Sequence, residues 1–312
     1  MSEQAVATVP ARPESGASAL DGTTRFRPTG LPSRRRSRRR SRSVSAVATR
    51  LAAGILLAAV ALFVFGPLLW LGLRAFTADW VFPALLPSHW TLDWWGRVFG
   101  TPELAGSVRL SFAFAVTTVL VSSAICLPAA YAFGRYEFPG RRWLLVALFA
   151  ANAFPKIGLF VTIASLFYTL QLIGTFLGVV VVHVLGTVVF MTWIPAASFA
   201  AIPRSLEEAA RDVGARPWRV FTRVTLPMAA PGILVAMIMS FLASFDEAQG
   251  TFLVGAPDYL TMPIEMYSLV LNYPSQAAAV FSLVLSAPSV LLLLGVRRWI
   301  MGGHLAAGFQ LR

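Results

Sequence analysis

Ile202-Pro-Arg-Ser-Leu-Glu-Glu-Ala-Ala-Arg-Asp-Val-Gly-Ala-Arg-Pro-Trp-Arg-Val-Phe-Thr-Arg-Val-Thr-Leu-Pro-Met228 is a charged stretch set between two long uncharged runs. Ser205, followed three residues later by Glu208, reads as a capping box: the hydroxyl accepts a helix-start N–H and the carboxylate reaches back to the N–H of the cap residue. A short helix is therefore expected to begin there. Gly214 can end it in a left-handed conformation, and Pro217 suits the first position of a second short helix. The expected form is helix, sharp turn, helix. Ala209 and Ala210 give the first helix a low face on which another surface can approach the backbone, and Arg211, Arg216, Arg219 and Arg223 surround that face. On physics alone the pattern also fits an amphipathic hairpin lying on a membrane, with Trp218 and Phe221 at the interface.

The flanking runs carry the argument outward. A bilayer core takes about 20 apolar residues in helix. Six uncharged stretches of roughly that length occur: Leu51 to Leu73, Leu110 to Gly134, Leu144 to about Phe167, Gly174 to about Ala200, Ala229 to Ser244 with a polar extension, and Gln276 to Val296. The whole chain of 312 residues is 57% hydrophobic and 13% charged, with a mean hydropathy of +0.69. Soluble domains carry about 25% charged residues. The expected fold is an all-α polytopic membrane bundle of six transmembrane helices.

Charge placement orients it. Eleven of the 26 basic residues lie in the first 50 positions, and Arg135, Arg141, Arg142, the five arginines from Arg204 to Arg223, Arg297, Arg298 and Arg312 fall on the same side. Only Arg74, Arg97 and Arg109 fall on the other side. The positive-inside rule then puts both termini and the 202–228 loop in the cytoplasm. Residues 1–46, rich in Ser, Pro, Ala and Arg, carry too little apolar surface to offset the entropy of ordering and read as a disordered tail. The run from Arg34 to Arg42 reads as a topology signal; anionic lipid headgroups or RNA would be the other takers, and no nucleic-acid partner is expected. Residues 47–300 read as one membrane domain and 301–312 as a cytoplasmic tail.

Several chemistries are excluded. The single cysteine, Cys126, leaves no internal disulfide or thiolate zinc cluster, and the single lysine, Lys156, follows Pro155, so no Gly-Lys pair can build a phosphate-binding loop. The histidines His89, His183 and His304 stand apart, and no nucleophile and base are visible together. His183, alone in a span, reads as an interhelical hydrogen-bonder. Charged groups in spans are costly and mark functional candidates. Here they are Asp246 and Glu247, after Ser244 and Phe245 at the end of the fifth span, and Lys156 in the third. Lys156 can instead snorkel outward, and the carboxylates can be held at a helix end. Trp80, Trp90, Trp94 and Trp95 suit an interfacial aromatic belt, with a protein-docking surface as the alternative.

Glu208-Ala209-Ala210, three residues, Gly214, nine residues, Val224, one residue and Leu226-Pro227 resemble the signature of binding-protein-dependent ABC importer permeases, with Val224 in place of Ile. The match runs over 20 positions at fixed offsets in a loop two spans from the C-terminus, and the broader resemblance covers about residues 50 to 300. It implies the type I permease fold and a role for each matching position. Glu208, with Glu207 beside it, would contact a separate cytoplasmic ATPase. Ala209 and Ala210 would let the helix seat, Gly214 would make the turn, and Leu226 and Pro227 would anchor the loop's exit. The implied partners are ATPase subunits, a second permease chain (homologous or identical), an extracytoplasmic substrate-binding protein and the lipid bilayer. No cofactor is expected on this chain, which is no enzyme; ATP with magnesium belongs to the ATPase.

The stretches Ala209 to Ala215 and Phe241 to Glu247 look like the spermidine/putrescine branch, since the sugar branch typically reads Ile-Asp-Gly-Ala at the turn. Asp246, Glu247, Phe245 and Lys156 would then line the path of an organic cation. Phe138-Pro-Gly-Arg-Arg142 and Ile202 to Glu208 also occur in carbohydrate permeases, which keeps a carbohydrate or another small polar solute as the alternative. An ion-driven secondary carrier is more remote, because it would not need the loop signature.

Overall fold

The computed structural model describes residues 37–80, 84, 87, 89–151 and 154–299. Residues 1–36 of the tail expected at 1–46, the whole tail expected at 301–312 and the side chains of the Arg34 to Arg42 run lie outside the described residues. Helices run in the order α1 (Ser37–Arg74), α2 (Asp93–Gly100), α3 (Pro102–Arg135), α4 (Arg141–Ala151), α5 (Lys156–Thr169), α6 (Phe176–Ala200), α7 (Arg204–Asp212), α8 (Pro217–Val220), a π turn (Phe221–Thr225), α9 (Leu226–Phe245), α10 (Gln249–Gly255), α11 (Met262–Asn272) and α12 (Ser275–Trp299). Among the described residues the only β pairing is an isolated bridge between Thr77 and Trp90.

Among the described residues, five helices are long and apolar enough to cross a membrane: Thr49–Arg74, Pro102–Arg135, Phe176–Ala200, Pro217–Phe245 and Ser275–Gly295. The third of the six expected spans is instead divided between α4 and α5. Pro155 explains the break. It caps α5 with ψ at 116°, an extended conformation that a helix cannot run through, and it has no N–H to continue one. Pro128, Pro195, Pro231 and Pro288, by contrast, sit inside continuous helices.

The chain divides into two compact units, Met1–Ala61 and Leu62–Arg312. The described part of the first is helix, and α1 begins at Ser37, inside the stretch expected to be tail. Its side chains from Leu51 onward are exposed and apolar, Leu57 at 71%, as a surface in lipid or against another apolar surface must be.

In the second unit α3, α6 and α9 pack around one another. Lipid tails are as apolar as leucine, so helices in a bilayer associate through close van der Waals contact and interhelical hydrogen bonds, both favoured by small residues. Gly134 of α3 lies so near α6 that an added Cβ would sit 2.6 Å from Phe199 Cβ and 2.7 Å from the Ala196 carbonyl oxygen. Ala130, Ala196, Phe199, Ile202, Ala229 and Ile233 form one buried cluster at this end of the helices. Buried His183 meets its expectation: its Nδ1 is 2.6 Å from Ser244 Oγ and its Nε2 is 2.7 Å from Thr251 Oγ1, tying α6 to α9 and α10.

At the opposite end, α2 packs with α11 and the start of α12 around Val98, Met262, Leu269 and Val280. The four tryptophans do not act alike there. Trp80 is buried and donates to the Ala84 carbonyl, and Trp95 donates to the Ala75 carbonyl. Trp94 lies under the Arg97 guanidinium at 4.8 Å. Trp90 is left 61% exposed, so the dense aromatic belt expected from the sequence is reduced by internal packing.

Candidate functional site

The loop between the fourth and fifth long apolar stretches folds as helix, turn, helix, but not from the expected start. Pro203, not Ser205, holds the cap of α7, and no side-chain capping bond is made. The turn into α7 is fixed instead from α3, where Arg135 Nη1 donates to the carbonyls of Ile202 at 2.8 Å and Phe199 at 3.3 Å. Ser205 is thereby carried inside the helix, where it cannot cap.

The far end of α7 matches expectation. Gly214 has φ at +85°, its N–H reaches the Arg211 carbonyl at 2.8 Å, and the Ala215 N–H reaches the Ala210 carbonyl at 3.1 Å. These two bonds make a Schellman motif, which satisfies carbonyls that the helix end would otherwise leave unpaired. Pro217 then opens α8 at its first turn. Instead of a loop exit, α8 runs through the π turn into α9, with the Leu226 N–H bonding the Phe221 carbonyl. The wide turn lies directly before Pro227, whose missing N–H and bulky ring would disturb a regular α turn at that point.

The two adjacent carboxylates of α7 face different ways. Glu208 and Ala209 are exposed and Ala210 is half-buried, an open face with Val213 86% exposed at its tip. Glu207 is buried. Its Oε2 is 2.5 Å from Arg135 Nη2, and its Oε1 accepts from Thr225 Oγ1 at 2.6 Å. Burial alone would push its carboxyl up, but the bonds from Arg135 and Thr225 and the charges of Arg135 and Arg211 outweigh it and hold the group below its ordinary value. The stabilisation is therefore complete above the unfolded carboxylate value of about 4.3 and is lost as the pH falls through the lower folded value. Glu207 is thus an internal brace, whereas sequence grouped it with the outward contact. Its partners were missed: Arg135 was counted only for topology, and Thr225 sits in the signature's unspecified gap.

The other candidates separate as clearly. Twenty residues of α9, at about 1.5 Å each, put Asp246 roughly 30 Å along the helix from the loop, about one bilayer core. Phe245 is turned into the core between Phe241, stacked at 5.5 Å, and Phe112, edge-on at 5.0 Å. Glu247 Oε1 accepts the Gly250 N–H at 2.7 Å at the start of α10, the helix-end role that sequence held open. Lys156 is exposed and near enough to act electrostatically on both carboxylates. Asp246 lines an open cavity of about 530 Å³ with Pro263, Met266, Tyr267 and Leu271.

Residues 124–301 match the model of the family described as binding-protein-dependent transport system inner membrane component. The chain belongs to this family. It is a permease subunit of an ABC importer, with the type I fold, and a transport component rather than an enzyme. A maltose/maltodextrin transport system permease protein, MalG of Vibrio parahaemolyticus, is 29% identical over 80% of this chain and 92% of its own length. A trehalose transport system permease protein, SugB of Mycobacterium tuberculosis, is 26% identical over 70% of this chain and 82% of its own. Among solved structures, a bacterial ABC transporter involved in import of the acidic polysaccharide alginate superposes with a TM-score of 0.64 at 19% identity, covering 86% of this chain and 99% of that one.

These relatives do not support the polyamine branch expected for this permease. Of the stretches that suggested it, Ala209 to Ala215 and Phe241 to Glu247, the turn at Asp212 to Gly214 is exposed on the loop, and Phe241 and Phe245 lie half-buried or buried in the bundle. Of the residues behind that reading, Asp246 lines the cavity beside Tyr267, whereas Phe241 lines a separate apolar one.

Proposed function

We propose that this permease forms half of the translocation pathway for a carbohydrate, with the 202–228 loop docking on a separate ATPase that binds ATP and magnesium. The observation that carries the substrate class is similarity over most of the chain to permeases named for maltose and trehalose transport. A second permease chain, identical or homologous, completes the pathway, and an extracytoplasmic binding protein delivers the sugar. The arginine distribution supports cytoplasmic termini, and residues 47–300 form the membrane domain. Glu208, Ala209 and Ala210 supply the docking face, Gly214 its turn, and Leu226 and Pro227 its continuation into the membrane.

The test is ATP-driven uptake by the complex purified from native membranes and reconstituted in phospholipid vesicles. Labelled maltose or trehalose is expected to accumulate, with labelled spermidine at background. Accumulation of spermidine and neither sugar would reverse the assignment.

Asp246 is the side chain best placed to meet a sugar on its route, beside Tyr267 at the same cavity. A carboxylate accepts hydrogen bonds from hydroxyls more strongly than an amide does, by about 1 kcal/mol or more. Asp246→Asn is therefore expected to raise the sugar concentration for half-maximal uptake severalfold while ATP turnover without sugar is retained. Uptake kinetics matching the unaltered protein would remove Asp246 from the path.

A further inference from the structure

Glu207 sits where three spans and the loop converge. Arg135, its ion-pair partner at 2.5 Å, ends α3 and also donates to the Phe199 and Ile202 carbonyls at the end of α6. Thr225, its second partner at 2.6 Å, belongs to the π turn at the base of α9. The α3 helix lies some seventy residues before the loop in sequence, and Glu207 makes the buried polar link from it to α7, beside an exposed one from Arg204 to the Arg135 carbonyl at 3.4 Å. A buried ion pair is weak support for stability, because desolvation offsets most of its attraction and well-packed apolar side chains often serve as well. It is, however, stiff and directional, and removing one partner leaves a buried charge unmatched. The π turn beside it is a wide turn of the kind that accumulates at functional positions in helices.

We propose that Glu207 is a positioning residue for coupling: a strut that carries displacement of α7 simultaneously to the end of α3, through Arg135, and to the base of α9, through Thr225. This rests on the reading that the exposed face of α7 docks on the ATPase. Glu208 and Ala209 receive the push on one face of the helix. Glu207, about 100° further round, delivers it to the spans.

The test uses the full importer in phospholipid vesicles, with ATP hydrolysis and maltose uptake measured together. Glu207→Gln is expected to assemble and hydrolyse ATP, with maltose carried per ATP reduced about tenfold, in the range of ordinary coupling strengths. A second measurement does not depend on the solute. Spin labels at exposed Glu137→Cys and Trp218→Cys, with buried Cys126→Ser, report the separation between the end of α3 and the loop. On adding ATP with vanadate it is expected to stay fixed in the otherwise unaltered protein, where the strut moves both ends together, and to shift in Glu207→Gln. A separation equally fixed in both proteins overturns the strut. If Glu207→Gln does not assemble, Thr225→Val, which keeps the ion pair and cuts the arm to α9, decides by the same ratio of maltose to ATP, an unchanged ratio overturning the proposal. Unaltered protein that binds no ATPase overturns the docking reading instead, a result distinguishable from failure of the strut alone.

Discussion

Gly214→Val is expected to abolish ATP-driven uptake while membrane-inserted protein stays near normal amounts. Gly214 holds φ at +85°, a region that costs a residue with a Cβ about 1 to 2 kcal/mol and a β-branched one more. No atom lies within 4 Å of an added Cβ, so the strain is in the backbone alone and packing of the spans is untouched. The chain relieves it by returning φ to negative values. That breaks the bonds from Gly214 and Ala215 back to Arg211 and Ala210 and removes the reversal between α7 and α8. The exposed face at Glu208 and Ala209 is then aimed elsewhere. Immunoblots of membranes together with uptake into vesicles check this, and Gly214→Asn, which tolerates the left-handed region better, is expected to retain part of the activity. Normal uptake by Gly214→Val would show that the turn does not set the docking geometry.

Gly134→Leu has the larger expected effect on the fold. The first added carbon would meet Phe199 Cβ at 2.6 Å, the Ala196 carbonyl oxygen at 2.7 Å and the Ala200 nitrogen at 3.2 Å. Two of these are backbone atoms, which no rotamer change can move aside. The α3 and α6 helices must separate, and overpacking of this kind costs about 1 to 3 kcal/mol or more. Gly134 also precedes Arg135, so separation draws the guanidinium off the Phe199 and Ile202 carbonyls and off Glu207. The expected result is a sharp fall in monodisperse protein extracted in mild detergent and in its thermal midpoint. Gly106→Leu, at a position of the same helix with nothing within 4 Å, provides the comparison and is expected to extract normally. Equal yields of the two would mean that α3 and α6 do not depend on this close approach.

Much of the fold was legible because its causes are local. Runs of about 20 apolar residues can satisfy their backbone in lipid only as helix or closed barrel, and five of the six runs became single helices. The remaining one, the third in chain order, was interrupted at Pro155. The turn at Gly214 and the helix start at Pro217 follow from the φ values those two residues allow. The capping box failed because the start of α7 is set by Arg135, a residue distant in sequence, whose guanidinium holds the Ile202 carbonyl.

The sequence by itself therefore determined a polytopic helical membrane protein, a helix-turn-helix loop, and membership of the importer permeases through 20 residues at fixed offsets. The tertiary structure decided which of two neighbouring carboxylates faces outward, since Glu207 and Glu208 are alike in composition and differ by one helical step. It likewise decided that Phe245 packs in the core while Asp246, the next residue, lines a cavity. Side-chain direction at a helix end or in a short helix is chosen by partners brought from other spans, and no window of local sequence contains them.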